Sequence, residues 1–322
     1  MRKFFITAMV IASLTSCSEE PAFDTPEVLT DPNIAFFHVS KDENREAKFG
    51  VHPLLGHGYD VTGEFAASSA ARKQIFDFEK RSDVYRLDIS PIGMGSARND
   101  SYEDGKHFLQ YLSFKQDDLV GTTSFKGTLD ALFPDQDHLH NYIYSEYFVE
   151  VRYEAHRFSP MRELFSDEFI QALQNNSPAE IVKDYGTHYL ATIIMGAKSQ
   201  ILYRTETNNP DRLASSKHGL EVARHNIFNP LDAVVDKYIA EGNYNQQVSF
   251  RVKGGDHSKL HLSEINGMTR VDTREWLASI SEENAEMIDI FVLPIYDLVS
   301  NETKQQELKN YIEKYIFENQ FQ

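Results

Sequence analysis

Tyr185-Gly186-Thr187-His188-Tyr189, followed by Leu190-Ala191-Thr192-Ile193-Ile194-Met195-Gly196, is the stretch that decides how the chain is organised. An aromatic, a glycine, two polar residues and an aromatic lead straight into an apolar run that closes on another glycine. Residues 178–182 before it carry helical spacing behind Pro178, and residues 189–205 after it are strand-like. The pattern is that of a helix handing over to a buried strand, with glycine where backbone bends or approaches another element. His188 also admits a reading as general base or metal ligand. No serine, cysteine or carboxylate stands at a telling spacing from it, which favours a buried, hydrogen-bonded histidine.

Working outward, residues 142–158 form a second strand-like run rich in Tyr, Phe and Val. Ser166 precedes Asp167-Glu168-Phe169 as an N-cap with acids in the first turn, and Phe169, Ile170 and Leu173 make a helical face. Residues 34–39, 74–80, 84–89 and 247–252 have strand character, with Pro91 to Gly95 expected to break the run after Ile89. Residues 54–62 are punctuated by glycine and suggest turns. Ser124 to Ala131 alternates, with Phe125, Leu129, Ala131 and Phe133 on one side, which predicts a strand. Leu231, Val234, Val235, Tyr238 and Ile239 have helical spacing. Leu308, Tyr311, Ile312 and Tyr315 predict a closing amphipathic helix.

The whole chain sets limits on function. It has 322 residues, a net charge of −17, 41% hydrophobic residues and 12% aromatics. That composition supports a sizeable core. The acidic balance weighs against a nucleic-acid partner and makes a strongly anionic membrane a poor first contact. The single cysteine, Cys17, rules out an intramolecular disulfide. Met1-Arg2-Lys3, an apolar run over residues 4–14 and Leu14-Thr15-Ser16-Cys17 resemble a lipoprotein signal with its lipobox. Residues 1–16 are therefore expected to be a signal peptide, with lipid on Cys17. Residues 17–33 make an acidic, Pro-containing tether, and residues 34–322 one domain. Ser18-Glu19-Glu20 resembles an export tag of surface lipoproteins. The expected location is the outer membrane, at the cell surface or released from it.

These residues together resemble the MACPF domain of the MACPF/cholesterol-dependent-cytolysin superfamily, the perforin and complement type. The family signature is aromatic-Gly-Thr/Ser-His-aromatic, six residues, then Gly-Gly. Tyr185, Gly186, Thr187, His188, Tyr189 and Gly196 match it, and Ala197 stands where the second glycine is usual. Gly58-Tyr59-Asp60-Val61-Thr62 is similar to the family's domain opening. Gly254-Gly255, Trp276 to Ile280, residues 288–298 and the terminal helix follow its closing order. The lipobox adds a likeness to the small MACPF lipoproteins of gut bacteria, some of which kill related bacteria.

The resemblance implies an α+β fold: a bent, twisted four-stranded antiparallel sheet flanked by two helical clusters. It also implies a pore-forming protein that is monomeric in solution and homo-oligomeric on a target membrane, where each cluster refolds into a β-hairpin. The target would be a lipid, glycan or receptor. The clusters fall near residues 110–140 and 206–246, and Phe125, Leu129, Ala131 and Phe133 would face lipid in the first hairpin. Gly254 and Gly255 would act as a hinge. In the second cluster Arg224 and Asn226 share a side with Leu220 and Val222, and a charge facing lipid at the midplane costs about 2–4 kcal/mol. That weakness motivates the alternative, a non-lytic surface binding or adhesion module on the same fold.

The remaining chemistry-bearing residues point to no catalysis, cofactor or metal. His138 and His140 make an H-x-H and His257 and His261 an i, i+4 pair, which twelve histidines produce by chance. Asp117-Asp118 and Glu282-Glu283 are expected to be solvated loop acids. Gly254-Gly255 lacks the Lys-Ser/Thr of a phosphate loop. Trp276 is expected in the core.

Overall fold

The computed structural model describes residues 34–39, 52–80, 84–134, 141–228, 241–265 and 268–322. Cys17, the tether, His138, His140 and the helical spacing from Leu231 to Ile239 lie outside these residues.

Four long strands carry the fold: β4 (Tyr85–Tyr102), β5 (Ile143–Phe158), β6 (His188–Thr207) and β7 (Asn243–Lys253). They are antiparallel in chain order, with Tyr102 opposite Tyr144, Tyr144 opposite Arg204, and Arg204 opposite Gln247. A short strand β1 (Ala35–Val39) lies along β7 in parallel. Strands β2 (His57–Tyr59) and β3 (Ala71–Gln74) join the sheet through Gly58 and Tyr189. At its other end β6 pairs with β10 (Glu286–Pro294). A separate hairpin pairs β8 (His261–Ile265) with β9 (Met268–Asp272); β8 is exposed throughout, whereas Val271 of β9 is buried. This is the α+β sheet-and-helix architecture the sequence implied.

Local chemistry explains the helices. Before β6 lie α3 (Asp167–Asn175), whose Phe169 N–H donates to the Ser166 hydroxyl, and α4 (Pro178–Tyr185). At α4, Ser177 and Glu180 form a reciprocal capping box and Pro178 sits where its missing N–H costs nothing. Between β4 and β5 lie α1 (Gly105–Phe114), capped by Asp104, a 3-10 turn (Asp117–Leu119) and α2 (Gly127–Leu132). Between β6 and β7 lies α5 (Arg212–Phe228).

Besides residues 74–80, where only Gln74 belongs to a strand and Phe76 makes a single bridge, two sequence expectations fail here. The run over Ser124 to Ala131 is not a strand: Phe125 takes a left-handed φ of 63° and α2 begins two residues later. Positions 125, 129 and 133 are four apart, so their spacing fits a helix face as well as a strand face. Phe125, Leu129 and Phe133 are fully buried in the main core, whereas Ala131 is half-buried. The second failure is at Pro91 to Gly95. They do not end β4, which absorbs them in a register shift between Ile89 and Met94 and runs on to Tyr102.

Side-chain alternation gives the sheet two unlike faces. Tyr144, Leu202 and Arg204 face the core that holds Phe108, Leu129 and Phe133. Ile201, Tyr203, Val248, Phe250 and Val252 face a second core with Leu220, Ala223 and Ile227 of α5 and with Trp276, buried as expected.

Candidate functional site: a glycine-jointed sheet between two helical clusters

The signature stretch is a structural joint. Gly186 ends α4 at φ 76°, and a Cβ there would lie 2.5 Å from the Tyr59 backbone. Only glycine combines that conformation with that approach. The Thr187 N–H and hydroxyl both donate to the Tyr59 carbonyl (3.0 and 3.3 Å), and the Val61 N–H donates to the Thr187 oxygen (3.3 Å). Tyr185 and Tyr189 enter an aromatic cluster with Phe76, Phe158, Phe165 and Phe169. Burial, and then Asp297, push the Tyr189 phenol up to about 12.

His188 is 1% exposed and both ring nitrogens are engaged. Nδ1 lies 2.9 Å from the Thr187 hydroxyl, and Nε2 lies 2.5 Å from the Asp118 carboxylate. The expectation of a buried, hydrogen-bonded histidine agrees with this geometry. The expectation that Asp117-Asp118 is merely a solvated pair does not: Asp118 ties the turn after α1 to the joint. A separation of 70 residues hides that partnership from any spacing argument. Burial and Asp118 together hold the nearby Asp297 carboxyl above its usual range.

At one level of the sheet the register breaks along β4 and β5 and the partner of β6 changes. The β4–β5 register shifts between Ile89 and Met94, and the β5–β6 register between Arg152 and Glu154. At Gly196 the partner of β6 changes from β10, opposite residues 188–196, to β7, opposite residues 198–207. A Cβ on Gly196 would lie 2.0 Å from the Val151 carbonyl oxygen, and one on Gly254 2.4 Å from the Gly196 oxygen. The two glycine sites named in the sequence therefore touch each other at the bend. The Trp276 indole fixes the turn by donating to the Gly254 oxygen (2.9 Å). Ala197, in the usual second-glycine position, is 1% exposed and packs with the α5 core.

The two helical insertions leave and rejoin the sheet at the same end, beyond Tyr102, Tyr144, Arg204 and Gln247. They occupy opposite faces. On the first face Phe108 stacks on Tyr144, and the Arg204 guanidinium, fully buried, lies over Phe133 (4.1 Å) and Tyr142 (4.4 Å). Gln116 donates to the Ile290 carbonyl and accepts from the Val292 N–H, sealing the edge of β10. On the other face α5 sits close through small residues. Ser101, Ser145 and Ser216 form a chain of hydroxyl contacts at 2.7 and 2.8 Å, and Gly219 lies against Tyr203. Arg224 is buried over the Tyr147 ring (3.6 Å) and paired with Glu221 (2.9 Å). Its charge is therefore satisfied within the fold.

Towards the bend the first face becomes polar. Glu64 accepts from Arg251 (2.5 Å), Arg251 donates to Gln200 (2.6 Å), and Gln200 donates to Glu146 (2.5 Å). The Lys253 ammonium donates to the Ala66 carbonyl (2.5 Å). Burial lowers the Lys198 ammonium below its ordinary range. Sequence reasoning missed this network, because its members are polar side chains spread over β5, β6, β7 and the loop that holds Glu64.

A curled antiparallel sheet with backbones in close approach at Gly196 and Gly254, and a helical cluster on each face, defines a class of domain. The MAC/Perforin domain model matches residues 140–322, more than half of the chain, and the chain belongs to that family. Two solved structures share its fold. A protein with a MAC/Perforin domain from Bacteroides thetaiotaomicron aligns with a TM-score of 0.60 at 16% identity, over 88% of this chain and 63% of its own. GNIP1Aa from Chromobacterium piscinae aligns with a TM-score of 0.62 at 16% identity, over 83% and 56%. The chain thus spans less than two thirds of either relative. No curated protein matches it by sequence.

Proposed function

We propose that this chain is a surface-anchored or released pore-forming protein that assembles into a ring on a target membrane, with both helical clusters refolding into β-hairpins. The observation that supports it most directly is topological. Residues 103–142 and 208–242 each join two adjacent long strands at one end of one sheet, so refolding both would lengthen all four strands in the same direction. A membrane strand needs about 9–11 residues, and each insertion has room for two and a turn. Among the described residues no helix is long and apolar enough to cross a bilayer. Hairpins in lipid leave no backbone group unpaired only in a closed barrel, which couples insertion to oligomerisation. In the hairpin state Phe125, Leu129, Ala131 and Phe133 would exchange the core for lipid. Gly254 and Gly255 would let the sheet open at the bend. The lipid on Cys17 would hold the protein at the outer membrane, and an antibacterial role fits that anchor.

The test locks α5 to the sheet. Ser145 and Ser216 touch through their hydroxyls, so Ser145→Cys with Ser216→Cys should oxidise to a disulfide in a Cys17→Ser background. Dye-loaded vesicles are prepared from outer-membrane phospholipid with lipopolysaccharide, and separately from phosphatidylcholine with cholesterol. The reduced protein should release dye, the oxidised protein should not, and reductant should restore release. Equal release in both forms would refute refolding of the second cluster. No release by the reduced protein from either vesicle would favour the binding-module alternative.

A further inference from the structure

The strand β1 is unlike its neighbours. It has five residues, it is the only strand laid in parallel among the described pairings of the main sheet, and none of its residues is fully buried. Its register covers Gln247 to Arg251, the middle of β7. Successive side chains of a strand point to opposite faces, and here those faces lead to different clusters. Phe37 meets Phe133, the residue just after α2, edge to face at 6.4 Å. Phe36 and His38 stack on Phe250 from the other side (6.5 and 5.8 Å). Phe250 in turn meets Phe228, the last residue of α5, at 4.9 Å. Phe37 thus packs against the core of the first cluster, and Phe36 against that of the second. The sheet otherwise separates these two cores, and β1 reaches both around its edge.

We propose that β1 is a clip that secures both helical clusters through one strand, so that its detachment loosens the two together and bares the edge of β7. The proposal rests on the pore-forming reading above, since it supplies the coupling between two clusters that must both refold. A short, half-exposed edge strand belongs to the low-stability end of a structure, where local opening precedes global unfolding. It also stands directly after the acidic stretch leading back to Cys17, so a pull or a new contact on that stretch acts on β1 first.

The test needs no membrane and stays separate from dye release. Amide hydrogen exchange is followed on the full chain carrying Cys17→Ser, alone, with Phe37→Ala, and with Phe36→Ala. A clip that leaves as a unit predicts that each variant speeds exchange in β1, in residues 105–132 and in residues 212–228, by a common factor in both clusters. Independent local packing predicts that Phe37→Ala affects only the first cluster and Phe36→Ala only the second, and that outcome overturns the proposal. If an alanine variant fails to fold, Phe37→Leu and Phe36→Leu are read in the same way. Should coupled exchange be seen while no vesicle releases dye, the clip stands and the pore reading falls.

Discussion

At the residue scale, the buried histidines carry the clearest pH dependence. His52 and His156 meet edge to face at 5.8 Å, and His57 lies close by. Burial, then the charges of His156 and His57, hold His52 near 3 rather than 6.5. Burial also lowers His57 and His156, although Glu154 works against it at His156. A base whose folded pKa is depressed leaves the unfolded chain binding more protons between the two values. The stability it contributes is complete above about pH 6.5 and is lost as pH falls towards 3. For His52 alone the loss at pH 5 is about 2 kcal/mol. Denaturant midpoints at pH 7.5 and 5 should therefore converge in His52→Asn relative to the unmodified chain, and an unchanged pH slope would contradict this account. None of these couplings was legible in the sequence. The bond of His188 to Asp118 and the packing of His52 on His156 join residues far apart in the chain. The helix-to-strand handover was legible, because Pro178 opens α4 and Gly186 ends it within a few residues, whereas the contacts of Gly186 and Thr187 with Tyr59 and Val61 lie far off in the chain and were not.

At the scale of elements, strands and capped helices read well wherever one period fitted and another did not. The Tyr- and Val-rich run became β5, the apolar run after His188 became β6, and Ser166 capped α3 as expected. The ambiguous element was α2, where a four-residue spacing satisfies both periods and burial in a tertiary core decided the outcome. Helix α5 is ambiguous energetically. In an exposed helix Gly→Ala gains about 1 kcal/mol of propensity. At Gly219, however, a Cβ would lie 2.3 Å from the Tyr203 hydroxyl, which donates to Gln246, and 2.7 Å from the Asn243 amide. Overpacking a tight contact costs typically 1–3 kcal/mol, so the sign should reverse. Gly219→Ala is expected to lower the thermal midpoint and to speed dye release by loosening α5. A raised midpoint would show that the Tyr203 ring yields at little cost, and that α5 is less closely held than the serine chain suggests.

At the scale of the whole molecule, charge and anchoring act on membrane choice. The chain carries a net charge of −17, and its mature portion would be tied to a bilayer through Cys17. An anionic surface repels such a protein over roughly one Debye length, about 10 Å at 0.1 M salt. On the pore-forming reading proposed above, the hairpins would have to approach closer than that before any apolar residue reached lipid. Repulsion would therefore enter the rate of the first encounter, whereas the apolar and barrel-closing terms would act afterwards and depend little on salt. Two vesicle types separate these contributions for the Cys17→Ser protein. With vesicles rich in phosphatidylglycerol, the initial rate of dye release should rise as sodium chloride is raised from low to physiological strength, because screening removes the barrier to approach. With phosphatidylcholine vesicles the same titration should leave the rate nearly flat. A rate that falls with salt on the anionic vesicles would mean that a local basic surface, rather than the net charge, governs docking.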